Sequence, residues 1–324
     1  MSARNEVPAY AALSRPDETG LPLAWGVWGP DDEIGMLNNI TPAKAVEAAA
    51  LVREGRRFNL DLPLDLPWGG FPARPEDERF GPRHVVTAGQ LAHVPSRDDH
   101  LEGFYLQASS QWDGLTHMAD PVHGFYNSPR GPGPLPIWPG RCGIDRVAGF
   151  GVFTRGVLAD IPTYFEAVGR PWSIVGGDVV SPAELAACLA WQGSSLAPGD
   201  VLFVRSGWLT AFLAADLDGR AHLFKREDYS GVSGSEEMWA LLWDSRVAAI
   251  VSDSVTVEAF PPRPDEPSLH WAIARLGLTL GELFFLDDLA AACRARRAYE
   301  FLFVGKPLNL TGGVGSPANA MAIL

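Results

Sequence analysis

The second half of the chain alternates apolar strand-like runs with amphipathic helical stretches, and this constrains the fold more than any other feature. GFGVFTRGVLAD reads as a buried strand interrupted by one arginine. SPAELAACLAWQG reads as a helix with Ser181 at its N-cap, Pro182 next and Glu184 completing a capping box. DVLFVRSG is a second buried strand, followed by the helix SEEMWALLWDS, the strand VAAIVSDS, the helices LHWAIARLG and LDDLAAACRARRA, and the strand FLFVGKPL. Strands alternating with helices predict an α/β fold whose mixed sheet is covered by helices on at least one face.

The first half is less regular. Thr41 and Pro42 open a helix that runs through AKAVEAAALVREG to Gly55. RFNLDLPLDLP alternates like a half-buried strand, a Pro/Gly-rich stretch extends to about Arg83, and VVTAGQLAH and FYLQASSQWDG read as two further strands. SPRGPGPLPIWPG reads as an extended loop, and Asp98 and Asp99 as part of a solvated one. At 324 residues the expectation is one large α/β domain spanning 1–324, with an N-terminal extension of about 1–40.

A net charge of −13 argues against nucleic acid as a partner, because phosphate backbones are held by clustered Lys and Arg. Cys142, Cys188 and Cys293 are too few and too scattered for a disulfide framework or a cysteine metal knot, which points to a reducing compartment. The opening residues lack the apolar core of a secretory signal, and no run approaches the ~18 apolar residues of a membrane span. A cytoplasmic location with no membrane partner is expected.

Candidate chemistry concentrates in QWDGLTHMADPVH, residues 111–123. Were this segment an extended strand, Gln111, Asp113, His117 and His123 would share one face. A catalytic divalent metal needs about three such ligands and one open position. Asp113, His117 and His123 supply part of a set, and His270 and Glu282, far downstream, supply a second half-site if the fold brings them together. Gln111 on the ligand face and the adjoining Trp112 are read as substrate-binding residues, with Trp271 as a further aromatic near the ligands. Each residue also has a plain reading: a surface His or Asp, an acid favouring a helix dipole, or a core tryptophan. TGGVGSP precedes no helix and is taken as a turn rather than a phosphate loop. No GxSxG nucleophile elbow is present, and His84, His93, His100 and His222 have no partner at ligand spacing.

The segment resembles the cyclase family of metal-dependent hydrolases, which includes bacterial kynurenine formamidases and isatin hydrolases and carries the signature HxGTHxDxPxH followed by a distant His and Glu. Thr116, His117, Pro121 and His123 match, as do His270 and Glu282. Asp113 stands where the first histidine belongs, Leu115 replaces the glycine, and Ala119 replaces the aspartate that bridges two metals. Asp120 lies one residue beyond that bridging position and would point the other way in a regular strand. QWDGLTH is similar to a longer branch of the family in which an aspartate is usual at this place, and the likeness extends through NNITPAKAVEAAALVREG, RGVLADI, PGDVLFVRSGW and GGVGSPAN.

The resemblance implies a swivelling β/β/α architecture, a homodimer or homotetramer, and a zinc or manganese ion held by Asp113, His117, His270 and Glu282. It implies a hydrolase acting on a C–N bond of a small-molecule substrate, for which the aromatic residues near the motif suggest a ring, with His123 as proton shuttle and Glu282 sharing the acid/base task. A cyclase or dehydratase using the same Lewis acid, and a metal-free ligand-binding relative, remain open alternatives.

Overall fold

The computed structural model describes residues 7–67, 81–129 and 140–324. The Pro/Gly-rich stretch before Arg83 and the loop SPRGPGPLPIWPG lie mostly outside these residues. The helices are α1 (Pro42–Ala49), α2 (Ile144–Phe150), α3 (Ile161–Val168), α4 (Pro182–Trp191), α5 (Trp208–Ala214), α6 (Leu217–Lys225), α7 (Glu236–Asp244), α8 (Trp271–Leu276) and α9 (Asp287–Arg296), of which α1, α4, α7, α8 and α9 fall on the stretches expected to be helical. The caps read from the sequence form: Lys44 N–H donates to Thr41 Oγ1 at 3.1 Å, and Ser181 and Glu184 close a reciprocal capping box. α6, which lies between DVLFVRSG and SEEMWALLWDS, is capped by Asp216.

The strands in chain order are β1 (Arg57–Asn59), β2 (Arg83–Leu91), β3 (Val94–Glu102), β4 (Gln111–Asp113), β5 (Gly124–Phe125), β6 (Ser128–Pro129), β7 (Val152–Asp160), β8 (Val179–Val180), β9 (Val201–Arg205), β10 (Gly231–Val232), β11 (Ala249–Ser252), β12 (Thr279–Glu282), β13 (Glu300–Gly305), β14 (Gly315–Pro317) and β15 (Ala320–Ile323). Nine of them form one mixed sheet in the order β1-β15-β13-β7-β9-β11-β12-β4-β14. The run β7-β9-β11-β12 is parallel and the remaining neighbours pair antiparallel. The mixed sheet flanked by helices is the α/β architecture the alternating pattern predicts.

Helices cover both faces, which explains why the parallel strands read as unbroken apolar runs. Val157, Leu202, Val204, Ile250 and Leu280 pack with Phe165, Leu185, Trp239 and Ile273 on one side. Leu158, Phe203, Val251 and Phe303 pack with Ile144, Val147 and Leu289 on the other. Residues 7–40 lie along the body without regular strands and bury Tyr10, Leu13, Leu21, Ala24, Met36 and Leu37. Trp243 Nε1 donates to Pro8 O and Trp25 Nε1 to Ala274 O.

Four first-half expectations differ. The helix expected to run to Gly55 ends at Ala49, and of RFNLDLPLDLP only Arg57–Asn59 is strand. FYLQASS is not strand, and only Gln111–Asp113 of its run is. Asp98 and Asp99, expected in a loop, are in β3, whose hairpin with β2 closes through Ala92 and His93, both at positive φ as a tight hairpin turn requires. They are still solvated, as the hairpin is exposed almost throughout. Among the described residues no helix is long and apolar enough to cross a membrane.

Candidate metal centre

β4 is only three residues long, yet it sits inside the sheet, antiparallel to β12 on one side and β14 on the other. Register pairs Asp113 with Leu280 and Gln111 with Glu282. Strand alternation therefore sends Gln111, Asp113 and Glu282 to one face and Trp112 to the other. The expected extended strand ends at Asp113, so a common face through His117 and His123 does not arise by parity. Instead the chain turns at Gly114, where a Cβ would meet Val314 O at 2.7 Å, and His117 N–H donates back to Gly114 O at 2.9 Å. This turn folds His117 over Asp113, with Nδ1 3.6 Å from Asp113 Oδ1.

His270 arrives from the far half-site at the start of α8, and its ring centroid lies 6.1 Å from that of His117. One ligand atom each from Asp113, His117 and His270 lies within 4.8 Å of the others, a group able to hold a metal ion. Asp113 is fully buried and neither of its carboxylate oxygens accepts a hydrogen bond. A buried charge in that condition is costly unless a cation is near it, so the donor set fits a divalent ion.

Glu282 stands beside this group. Its Oε2 accepts from Gln111 Nε2 at 2.7 Å, and its Oε1 faces His270 Nε2 at 3.4 Å. Gln111 thus holds Glu282 in place. His270 is further gripped by a residue the sequence reading missed: Glu258, 3% exposed, accepts from His270 Nδ1 at 2.8 Å. Burial alone would depress the His270 pKa, but the charge and hydrogen bond of Glu258, then Glu282, raise it well above its ordinary value. Burial likewise opposes ionisation of Glu258, yet His270 and the Ser268 hydroxyl hold its pKa down at about 2.

Two sequence expectations are corrected by these contacts. Trp112 is fully buried on the opposite face, its Nε1 donating to Ala318 O at 2.9 Å and its ring edge-on to Phe284 at 5.1 Å, so it is core and not a pocket wall. His123 is not part of the group: its Nε2 bonds Asp17 at 2.6 Å and its ring meets Trp25 edge-on. The cause is Asp120, whose Oδ1 accepts from the backbone N–H groups of Val122 and His123 and turns the chain there. Asp120 Oδ2 is itself paired with the buried Arg275 at 2.6 Å, and Arg275 also reaches Asp17 at 2.8 Å. Trp271 is partly buried against the core. Among the histidines set aside in the sequence, His84 pairs with Asp99 at 2.8 Å on the exposed hairpin.

Residues 64–259 match the family described as "Putative cyclase". Among solved structures, the chain is similar to one titled a novel cyclase, at 30% identity and a TM-score of 0.78, covering 93% of this chain and 99% of that one. Isatin hydrolase A from Labrenzia aggregata, bound to benzyl benzoate, shares the fold at 14% identity and a TM-score of 0.55 over 85% of this chain and 94% of its own. Isatin hydrolase A from Ralstonia solanacearum does so at 16% identity and 0.54, over 87% and 97%. No curated protein matches the sequence.

Proposed function

The chain belongs to the Cyclase family, and from that premise we propose that it is a metal-dependent hydrolase that cleaves the C–N bond of an amide or lactam, in the class of aryl formamides and isatin-like rings. The observation that carries this reading is the buried, hydrogen-bond-free carboxylate of Asp113 converging with the imidazoles of His117 and His270 from a distant part of the chain. Asp113, His117 and His270 would hold the cation, and an oxygen donor in the set suits zinc first and manganese closely behind. When bound, such an ion supplies Lewis acidity, polarising a carbonyl and lowering the pKa of water.

The chain's own groups account for the proton traffic. Glu282 is the carboxylate adjoining the group, fixed by Gln111 at 2.7 Å, and it takes a proton from the attacking water and returns it to the departing nitrogen. Gln111 is a positioning residue for Glu282. His123, with its Nε2 engaged by Asp17, is left out of the proton path. The isatin hydrolases among the fold relatives favour a ring-bearing substrate.

The test is a screen of aryl formamides, anilides and lactams with zinc- or manganese-loaded protein, with and without chelator. The expected result is an acid and an amine from an open-chain amide, or one ring-opened product carrying both groups from a lactam, abolished by chelator and restored by metal. Ring closure or loss of water instead of hydrolysis would assign the same Lewis acid to a cyclase or dehydratase. Chelator-insensitive turnover, or none on any C–N substrate, would overturn the reading.

A further inference from the structure

Glu258 follows β11 in the segment SDSVTVEAF, twelve residues before His270 and separated from it by a proline-rich loop. Its backbone is fixed by a parallel bridge to Val232 and by the Thr256 hydroxyl, which donates to Glu258 O at 2.7 Å. One oxygen, Oε1, collects three donors: His270 Nδ1 at 2.8 Å, the Ser268 hydroxyl at 2.6 Å and the His270 backbone N–H at 3.3 Å. The other, Oε2, is buried and accepts no hydrogen bond. A charged carboxylate holds these donors more strongly than a neutral amide oxygen would. The full desolvation cost of a half-satisfied carboxylate is retained, and its contacts converge on one imidazole.

We propose that Glu258 is a positioning residue for the metal centre: by taking the Nδ1 proton of His270 as a hydrogen bond, it fixes the ring's tautomer and leaves Nε2, the nitrogen facing Glu282, as the donor atom for the group with Asp113 and His117. The inference rests on the reading of that group as a metal site. A ligating histidine whose second nitrogen is held by a carboxylate is both oriented and made more basic, and loss of such a partner weakens metal binding by about 10–100-fold.

The experiment is a zinc titration against a competing chelator, on wild type, Glu258→Gln, His270→Ala and the double variant. Glu258→Gln should bind zinc about 10–100-fold more weakly than wild type, while the metal-free variant keeps its far-UV circular dichroism spectrum. In the His270→Ala background, titrated directly with zinc to read the weak binding left to Asp113 and His117, the same change should produce no further loss, because its effect passes through that ring. Wild-type affinity in Glu258→Gln, or an equal loss with and without His270, would overturn the inference alone. Failure of wild type to bind zinc or manganese would instead remove the metal reading and this inference with it. Should Glu258→Gln not fold, Ser268→Ala takes its place in the titration, because it removes one of the donors that fixes the carboxylate. Zinc binding weakened only when His270 is present supports the role, and unchanged binding refutes it.

Discussion

Replacing Asp113 with asparagine should separate the cost of the site from its use. The side chain is fully buried, neither oxygen accepts a hydrogen bond, and the nearest opposing group is His117 Nδ1 at 3.6 Å. Asparagine keeps the shape and removes the charge. An unsatisfied neutral group still costs about 1–3 kcal/mol and a buried ion several, so the metal-free variant should gain roughly 1–3 kcal/mol over metal-free wild type. For 324 residues the unfolding entropy is about 0.7 kcal/mol/K, so that gain corresponds to a midpoint about 1.5–4 °C higher. Metal should reverse the order: at one hundred times its Kd a bound ion adds about 2.7 kcal/mol, or about 4 °C, to wild type and much less to a variant lacking the charged ligand. Thermal melts of both proteins in chelator and in excess zinc provide the assay. A variant less stable than wild type in chelator, or one showing the full zinc-induced rise, would refute the assignment of Asp113 as an ion-binding carboxylate.

Two further outcomes follow from groups buried near the site. Arg275, 1% exposed, neutralises Asp120 and Asp17 and donates to Leu21 O, so Arg275→Met takes the buried cation from two carboxylates and should cost about 3–5 kcal/mol in urea unfolding. A loss under about 1 kcal/mol would show that this pairing does not hold residues 7–40 to the body. Trp112→Ala should destabilise by about 3–5 kcal/mol through the cavity left against Phe284 and Phe303, with KM unchanged for whatever folded protein remains. A raised KM at unchanged stability would restore Trp112 to the substrate pocket.

What could be read from the sequence was whatever is encoded locally. Thr41 and Ser181 cap the helices they precede, because hydroxyl and proline fall at fixed offsets within one turn, with an acid, Glu184, added after Ser181. The apolar runs became the parallel strands because burial on both faces removes alternation. The two half-sites were legible as residue types, and His270 does meet His117, but the route was not. β4 is too short to carry a period, its place in the sheet depends on β12 and β14 from the far end of the chain, and a turn at Gly114 does what strand parity was expected to do. Of TGGVGSP only the first four residues are turn and loop, while GSP is β14, a pairing invisible without its partner. Glu258 sits in an apolar stretch with no motif around it, and Asp17 and Arg275 meet across most of the chain, so neither could be found from spacing. The charges of VPSRDDHLE looked like a loop because a hairpin exposed almost throughout imposes little apolar pattern.

The central claim, that remote segments converge on one ion, is tested most directly by elemental analysis of wild type, His117→Ala and His270→Ala after chelation and reloading with zinc or manganese. Stoichiometric metal in wild type and its loss from both variants, each still folded, is the expected result. Full occupancy in either variant would contradict it.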